Sequence, residues 1–179
     1  MVYMFLANGF EEIEALCPLD LMRRANIDVT TVGIGAKEIT GAHGITVTAD
    51  VTDETLTVND LDMVFLPGGM PGTLGLAASD VVKSTVNTAV SQGAFVAAIC
   101  AAPSILGDMG LLRGKNAVCY PGFEDRLAGA TIPQAKVVLD GNILTAKGMG
   151  AALEMGLKIV ELFRGTEFAE KLRHDVIAD

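Results

Sequence analysis

Short unbroken runs of apolar residues alternate along the chain with longer stretches in which apolar residues recur every three or four positions. An apolar run bounded by turn residues is typical of a strand buried on both faces of a sheet. These runs, with one segment rich in β-branched residues, predict strands at 2–6, 27–32, 63–66, 95–99 and 117–120. The turn residues and the flanking apolar segments also predict two hairpins, at 39–49 and 137–145.

The spacing of three and four residues predicts helices between these strands. The first helix begins with the acidic segment 11–14, and its apolar face consists of Ile13, Leu16, Cys17 and Leu21. Pro18 interrupts this face and predicts a kink or a local break. The remaining helices are predicted at 82–90, directly after Cys100, at 150–163 and at 167–173.

The alternation of strands and helices predicts an α/β fold, in which helices cover both faces of a mostly parallel sheet. The sequence has no internal repeat and no linker-like segment, so 1–179 is predicted to be a single domain. Ligands of such sheets bind beyond the carboxyl ends of the strands. The loops predicted at those ends, which we expect to converge, are 7–14, 67–72, 100–103 and 120–123.

The amino-acid composition disfavours several classes of binding partner. The formal net charge of −9 argues against nucleic acid or an anionic membrane as a partner. No apolar run approaches the roughly 20 residues of a membrane span, and the first residues do not resemble a signal peptide. Three cysteines without a CxxC pair predict neither a disulfide framework nor structural zinc, and favour a reducing, cytoplasmic compartment. The two histidines, His43 and His174, lack ligand-like spacing, so we expect no metal.

Cys100 is the first candidate for chemistry. It follows the apolar run 95–99 and precedes a predicted helix whose first turn contains Pro103. A strand, a nucleophilic side chain and a helix N-terminus form the layout of a nucleophile elbow. The helix amides and dipole would lower the pKa of the thiol. The alternative is an inert cysteine packed beneath the sheet, and this stretch alone does not choose between the two.

Two further features lie on loops expected beside Cys100. The Gly68-Gly69 turn would allow the N–H groups of Gly69 and Ala101 to form an oxyanion hole, or it is an ordinary turn after a buried strand. For Glu14 three roles stay open. It is a solvated partner of the helix dipole, an inward carboxylate that raises the pKa of the thiol, or an inward carboxylic acid that donates to the thiolate and shuttles a proton.

Several segments together resemble the ThiJ/PfpI superfamily, and within it the branch of the Parkinson-disease-associated protein deglycase and its bacterial homologues. They are ANGFEEIE (7–14), LDLMRRANIDVT (19–30), LPGG (66–69), AAICAAP (97–103) and AKGMG (146–150). The resemblance implies a flavodoxin-like, doubly wound homodimer in which the first helix and Ile13 contribute contacts. It implies a reactive Cys100, a protonated Glu14 beside it, and oxyanion-binding amides at Gly69 and Ala101.

The resemblance further implies an enzyme without a cofactor that acts on methylglyoxal, glyoxal or early glycation adducts through a hemithioacetal on Cys100. The alternative role is an oxidative-stress sensor or chaperone with Cys100 oxidised to the sulfinate; older attributions, to a cysteine peptidase or a thiamine-related protein, are less favoured. Gly68, Tyr120 and Met149 are expected to line the substrate. Tyr120 replaces a histidine frequent in the family, which weakens protease-like Cys–His chemistry. His43 replaces an arginine near the dimer interface and is expected to be a surface residue.

Overall fold

The structure, a computed structural model, describes residues 1–178. Its main element is a seven-stranded sheet with the order β5-β2-β1-β6-β7-β9-β8, in which only β8 runs antiparallel to its neighbour. In chain order its strands are β1 (Val2–Leu6), β2 (Val29–Gly33), β5 (Val51–Thr52), β6 (Met63–Leu66), β7 (Phe95–Ile99), β8 (Val137–Asp140) and β9 (Ile143–Ala146). A separate antiparallel hairpin consists of β3 (Glu38–Thr40) and β4 (Thr46–Thr48).

Within residues 1–178, six α-helices cover the two faces of the sheet. They are α1 (Glu12–Arg24), α2 (Gly72–Ala78), α3 (Asp80–Gln92), α4 (Pro103–Asp108), α5 (Ala152–Arg164) and α6 (Thr166–Asp175). Short 3-10 turns lie at Glu124–Arg126 and Met149–Ala151. No helix of the described chain is long and apolar enough to cross a membrane.

Two hydrophobic cores form because side chains alternate across the strands. In β1, Met4 points into the core beneath α1, α5 and α6, whereas Phe5 points into the core beneath α3 and α4. Both side chains are completely buried, as expected for a central parallel strand. The structure therefore confirms the flavodoxin-like fold with helices on both faces and the two hairpins.

The structure corrects three local predictions. The segment 117–120 is not a strand: apart from a bridge between Asn116 and Thr131, it is extended chain, and the N–H of Val118 donates to Thr145 Oγ1 (3.0 Å). Helix α2 was absent from the prediction, because the glycines of 72–78 mask its helical pattern. Of the kink or local break predicted at Pro18, the break is absent, because helix α1 continues through this residue.

The continuity of α1 has a packing explanation. Gly156 of α5 lies against Pro18 so closely that a Cβ at position 156 would be 3.0 Å from the Pro18 Cα. Since helical stability in proteins comes mainly from tertiary packing, this close contact compensates for the hydrogen bond that proline cannot make. Helix α1 therefore carries its first turn, with three glutamates at or beside it, in a fixed position at the carboxyl edge of the sheet.

Candidate functional site

Cys100 lies at the carboxyl end of β7, directly before the turn that leads into α4. Its φ of 66° is in the left-handed region, which is unfavourable for a residue with a Cβ. Neighbouring segments hold this conformation, because the N–H of Cys100 donates to the Ala146 carbonyl (2.9 Å) and its carbonyl accepts from Tyr120 N–H (2.8 Å). This is the sharp strand-to-helix turn of a nucleophile elbow.

Two backbone N–H groups point at the sulfur of Cys100, one from Gly69 and one from Ala101. Gly69 adopts a φ of 91°, which glycine tolerates and other residues rarely adopt. Behind the cysteine, Gly68 leaves no room for a side chain, since a Cβ there would lie 2.5 Å from both the Cys100 Cβ and Glu14 Oε2. The turn 68–69 is therefore built for close backbone approach to the sulfur.

The carboxyl of Glu14 is turned inward and is 1% exposed. Its Oε2 accepts from Gly68 N–H (3.1 Å), and the Met149 N–H and the Cys100 thiol lie close to the carboxyl. Burial raises the pKa of Glu14 to about 7, and the negative charge of Glu11 adds to this, while the nearby donors of Cys100, Gly68 and Met149 oppose it. The structure thus excludes a solvated role for Glu14.

The expectation of a lowered thiol pKa is not met. Burial is the largest cause that raises the pKa of Cys100, to about 12, followed by the charge of Glu14 and the hydrogen bond to it. The amides of Gly69 and Ala101 act in the opposite direction, as the elbow geometry predicts, but they are outweighed. The helix terminus is visible in the sequence, whereas the depth at which the sulfur is buried is a property of the folded chain.

The two acids therefore titrate as a pair. Between about pH 7 and about pH 12 the sulfur of Cys100 and the carboxyl of Glu14 hold one proton between them. The proton lies on the sulfur in one arrangement and on the carboxyl in the other. The second arrangement contains a thiolate, which the two amides and the carboxylic acid can stabilise by hydrogen bonds.

A cavity of about 410 Å³ opens in front of Cys100. Its wall includes the large side chains of Tyr120 and Met149, which are 52% and 55% exposed. Gly68 lies behind Cys100 rather than on the wall. The remaining lining residues are Glu11, Glu14, His43, Gly69, Met70, Ala101 and Phe123. The predicted site residues thus converge at one place.

His43, expected from the sequence to be a surface residue, also lines this cavity. Its ring Nδ1 lies 2.9 Å from Glu12 Oε2 and 3.4 Å from Glu11 Oε2, so three side chains that could ligate a metal meet here, with ligand atoms within 4.8 Å of one another. Hydrogen bonds to Glu12 account for this cluster without an ion, because the N–H groups of His43 (2.8 Å) and Ile45 (3.4 Å) also donate to it. The helix N-terminus beside it disfavours a cation.

Glu12 responds to its surroundings in the opposite direction from Glu14. Its burial would raise the pKa, but the hydrogen bonds from the His43 ring and from backbone N–H groups lower it below its ordinary value. The pKa of His43 is raised, first by the hydrogen bond to Glu12 and then by the charges of Glu11 and Glu12. Sequence spacing could not reveal this group, because 31 positions separate Glu12 from His43.

Fold and site define a class: a flavodoxin-like α/β protein with a cysteine at a nucleophile elbow and a buried carboxyl beside it. The chain belongs to the DJ-1/PfpI family, whose model matches residues 1–162.

Similar proteins agree with this assignment. Protein DJ-1 homolog B of Arabidopsis thaliana is 36% identical over 92% of this chain and 38% of its own length, so the chain spans less than half of that relative. The Caenorhabditis elegans protein named glutathione-independent glyoxalase DJR-1.2 is 30% identical over 90% of this chain and 87% of its own. The structure of oxidized Toxoplasma gondii DJ-1 superposes with a TM-score of 0.94 at 31% identity, covering 98% and 97% of the two chains.

Proposed function

We propose that this protein is a cysteine-dependent glyoxalase and deglycase that acts on methylglyoxal, glyoxal or their early glycation adducts without a cofactor. One observation carries the proposal: the Cys100 sulfur, the Glu14 carboxyl and two backbone N–H groups meet at the base of one open cavity. The similarity to a relative named as a glutathione-independent glyoxalase supports it. A cytoplasmic homodimer, with the exposed Ile13 of α1 at the interface, belongs to the same proposal.

The reaction begins from the arrangement in which Glu14 holds the proton and Cys100 is a thiolate. The sulfur attacks the aldehyde carbon, and the amides of Gly69 and Ala101 stabilise the oxygen that becomes negative. Glu14 gives that oxygen its proton, which completes the hemithioacetal, and the resulting carboxylate is placed to act as a base. Since the protein's own thiol forms the adduct, no external glutathione is required.

The adduct then isomerises and is hydrolysed. Glu14 removes the proton from the former aldehyde carbon and delivers it to the neighbouring carbonyl oxygen, which gives an enediol. Glu14 then takes the proton of the hydroxyl on the sulfur-bearing carbon and delivers it to the neighbouring carbon, which leaves a thioester of lactate on Cys100. Water cleaves this thioester, which releases lactate and returns the thiolate. Tyr120 and Met149, both on the cavity wall, orient the substrate.

Replacement of Cys100 tests this function. Wild-type protein is expected to form lactate from methylglyoxal without glutathione, as measured by an enantiomer-specific lactate assay. Cys100→Ser is expected to lose the activity, because a hydroxyl is a far weaker nucleophile than a thiolate. Cys17→Ser is a matched control, since Cys17 lies on α1 outside the cavity. Lactate formation that survives Cys100→Ser would contradict the proposal.

A second candidate function is thiol-based redox sensing. The groups that would hold a thiolate, the amides of Gly69 and Ala101 and a protonated Glu14, would also hold the oxygens of a Cys100 sulfinate. A structural neighbour is described as an oxidized form. Mild peroxide followed by peptide mass spectrometry tests this function. Selective oxidation at Cys100 supports sensing, whereas equal oxidation of Cys17 and Cys100 contradicts it.

A further inference from the structure

The turn between β3 and β4 holds His43 firmly against the first turn of α1. The N–H of Ala42 donates to the Phe10 carbonyl (2.8 Å), while the N–H and the ring of His43 both reach the Glu12 carboxylate. Packing is tight here, since a Cβ at Gly41 would lie 2.3 Å from Glu12 Oε1. The histidine is thus oriented by contacts on both sides of its backbone.

The hydrogen bond to Glu12 determines which ring nitrogen can accept a proton. Glu12 is 3% exposed and its pKa is lowered, so it is ionised at neutral pH and accepts from the Nδ1–H of His43. In the neutral ring the proton then resides on Nδ1, and Nε2 has a free lone pair. Within residues 1–178 no protein group hydrogen-bonds to Nε2, and the ring lines the cavity that contains Cys100.

The proposed reaction needs a second group that accepts protons. Glu14 is buried and is engaged with the sulfur, Gly68 and Met149, so the hydrolytic water needs a base elsewhere on the cavity wall. His43 is on that wall, and 68% of its side chain is exposed in the single chain. An imidazole oriented by a carboxylate is an effective general base near neutral pH.

We propose that His43, oriented by Glu12, is the base that activates water to hydrolyse the Cys100 thioester; this inference rests on the proposed function. The water oxygen forms a bond to the thioester carbon while Nε2 takes one of the water protons. The tetrahedral intermediate then breaks its C–S bond, and the electron pair stays on the sulfur of Cys100. Lactic acid leaves, and the proton on Nε2 passes to solvent.

The charged groups around His43 set the pH at which this base works. Glu11 and Glu12 face it from α1, and Glu14 and Cys100 lie deeper in the same cavity. The ring keeps its proton to higher pH than an isolated imidazole does, because the two nearer carboxylates stabilise the cation. The rate of hydrolysis should therefore rise with pH as the ring loses its proton, and this rise should lie above the ordinary imidazole pKa of 6.5.

The decisive experiment compares His43→Gln with His174→Gln, a substitution of the exposed histidine of α6, far from the cavity in sequence and absent from its lining. Each protein is mixed with methylglyoxal and quenched in acid, and the adduct on Cys100 is measured by peptide mass spectrometry. Hydroxylamine distinguishes the thioester from the hemithioacetal, because it converts only the thioester to a hydroxamate. Lactate release is followed in parallel.

In His43→Gln we expect a hydroxylamine-sensitive adduct to accumulate and lactate release to fall on the order of 10²-fold, the typical size of a general-base contribution. His174→Gln should behave as wild type. Equal release and equal adduct in all three proteins would overturn the assignment of His43 but leave the proposed function intact. If wild type forms neither adduct nor lactate, both proposals are wrong.

A second variant tests the positioning role of Glu12. In Glu12→Gln the amide can donate to Nδ1, which moves the ring proton to Nε2 and removes the free lone pair. We expect the His43 pKa, measured by NMR titration, to fall towards that of free imidazole, and the acidic limb of the hydrolysis rate to move with it. If Glu12 had only a structural role, the variant would hydrolyse the thioester more slowly, but the pH at which the rate rises would not change. An unchanged His43 pKa would contradict the positioning role.

Discussion

Glu12 and Glu14 lie two positions apart on the first turn of α1, and both are almost fully buried, yet their pKa values shift in opposite directions. Glu12 faces the β3–β4 turn, where the His43 ring and backbone N–H groups donate to it. Glu14 faces Cys100, a second acid, and is offered fewer donors. Both side chains are covered, but Glu14 lies deeper in the protein than Glu12, so depth of burial and hydrogen-bond partners together produce the difference.

This contrast shows how one helical turn can hold two carboxyl groups in different protonation states. Residues separated by two positions project from different sides of a helix, so each carboxyl meets a different neighbouring segment. A glycine covers each of them: Gly41 lies against Glu12 and Gly68 against Glu14. The surroundings of Glu12 and of Glu14 can therefore be changed separately. The following predictions use that property, from the largest expected effect to the smallest.

Glu14→Gln should have the largest effect. Glutamine preserves the shape of the side chain but cannot carry a proton between carbon and oxygen, so turnover of methylglyoxal should fall by roughly 10²- to 10⁴-fold. In wild type the rate of Cys100 alkylation by iodoacetamide should rise through about pH 7, where the pair loses its first proton. That inflection should be absent from the variant. Its persistence would show that Glu14 does not control the thiol.

Gly68→Ala should disturb the contact between Glu14 and Cys100 sterically. The new Cβ would lie 2.5 Å from both the Cys100 Cβ and Glu14 Oε2, so the thiol and the carboxyl must separate. We expect turnover to fall on the order of 10²-fold, as small misplacements of reacting groups do, and stability to fall by about 1–3 kcal/mol. Steady-state kinetics and urea unfolding measure the two effects. A fully active variant would contradict the proposed geometry.

The two carboxyl groups should give opposite dependences of stability on pH. Glu14 binds its proton more tightly in the folded state, so its stabilisation is complete below pH 4.5 and is lost as pH rises to about 7, by about 1–3 kcal/mol. Glu12 binds its proton less tightly, so its contribution is present above pH 4.5 and is lost on acidification. Urea unfolding across pH measures both slopes.

Matched glutamine variants separate these slopes. In Glu14→Gln the free energy of unfolding should fall less between pH 4.5 and pH 7, and its decrease on acidification should be unchanged. In Glu12→Gln only the loss of stability on acidification should become smaller. Part of that loss should remain, because the pKa values of Asp50, Asp80 and Asp140 are also lowered. Identical pH profiles of unfolding free energy for the two variants would contradict the opposite pKa shifts of Glu12 and Glu14.

Gly41→Ala should have the smallest effect on the thiol. Its Cβ would meet Glu12 Oε1 at 2.3 Å and disturb the hydrogen bonds to His43, at a cost of about 1 kcal/mol. The His43 pKa should fall, as measured by NMR, whereas Cys100 alkylation should follow the wild-type pH profile. A changed alkylation profile would mean that the Glu12–His43 pair is coupled to the Glu14–Cys100 pair.

The sequence predicted most of the fold, because the strands are short and apolar and the helices are amphipathic. It also predicted the convergence of Cys100, Glu14, Gly69 and Ala101, since loops at the carboxyl ends of parallel strands meet at one edge. The exceptions have local causes. The segment 117–120 has strand-like composition, but much of its hydrogen bonding goes to Thr145 and Cys100.

The electrostatics of the site could not be predicted in the same way. The sign of the Cys100 pKa shift depends on how deeply the sulfur is buried and on its distance from Glu14, and spacing along the chain gives neither quantity. His43 was expected at the surface, and its side chain is indeed largely exposed. Its pairing with Glu12 is long-range, so only the folded chain reveals it.

The left-handed backbone of Cys100 has a consequence for anyone who selects variants of this protein. A side chain in that conformation costs of the order of 1–3 kcal/mol, whereas glycine adopts it freely. A screen that rewards heat resistance and ignores turnover will therefore favour glycine at position 100, and the sulfur will be lost together with the strain. Libraries designed for thermostability should keep that codon fixed.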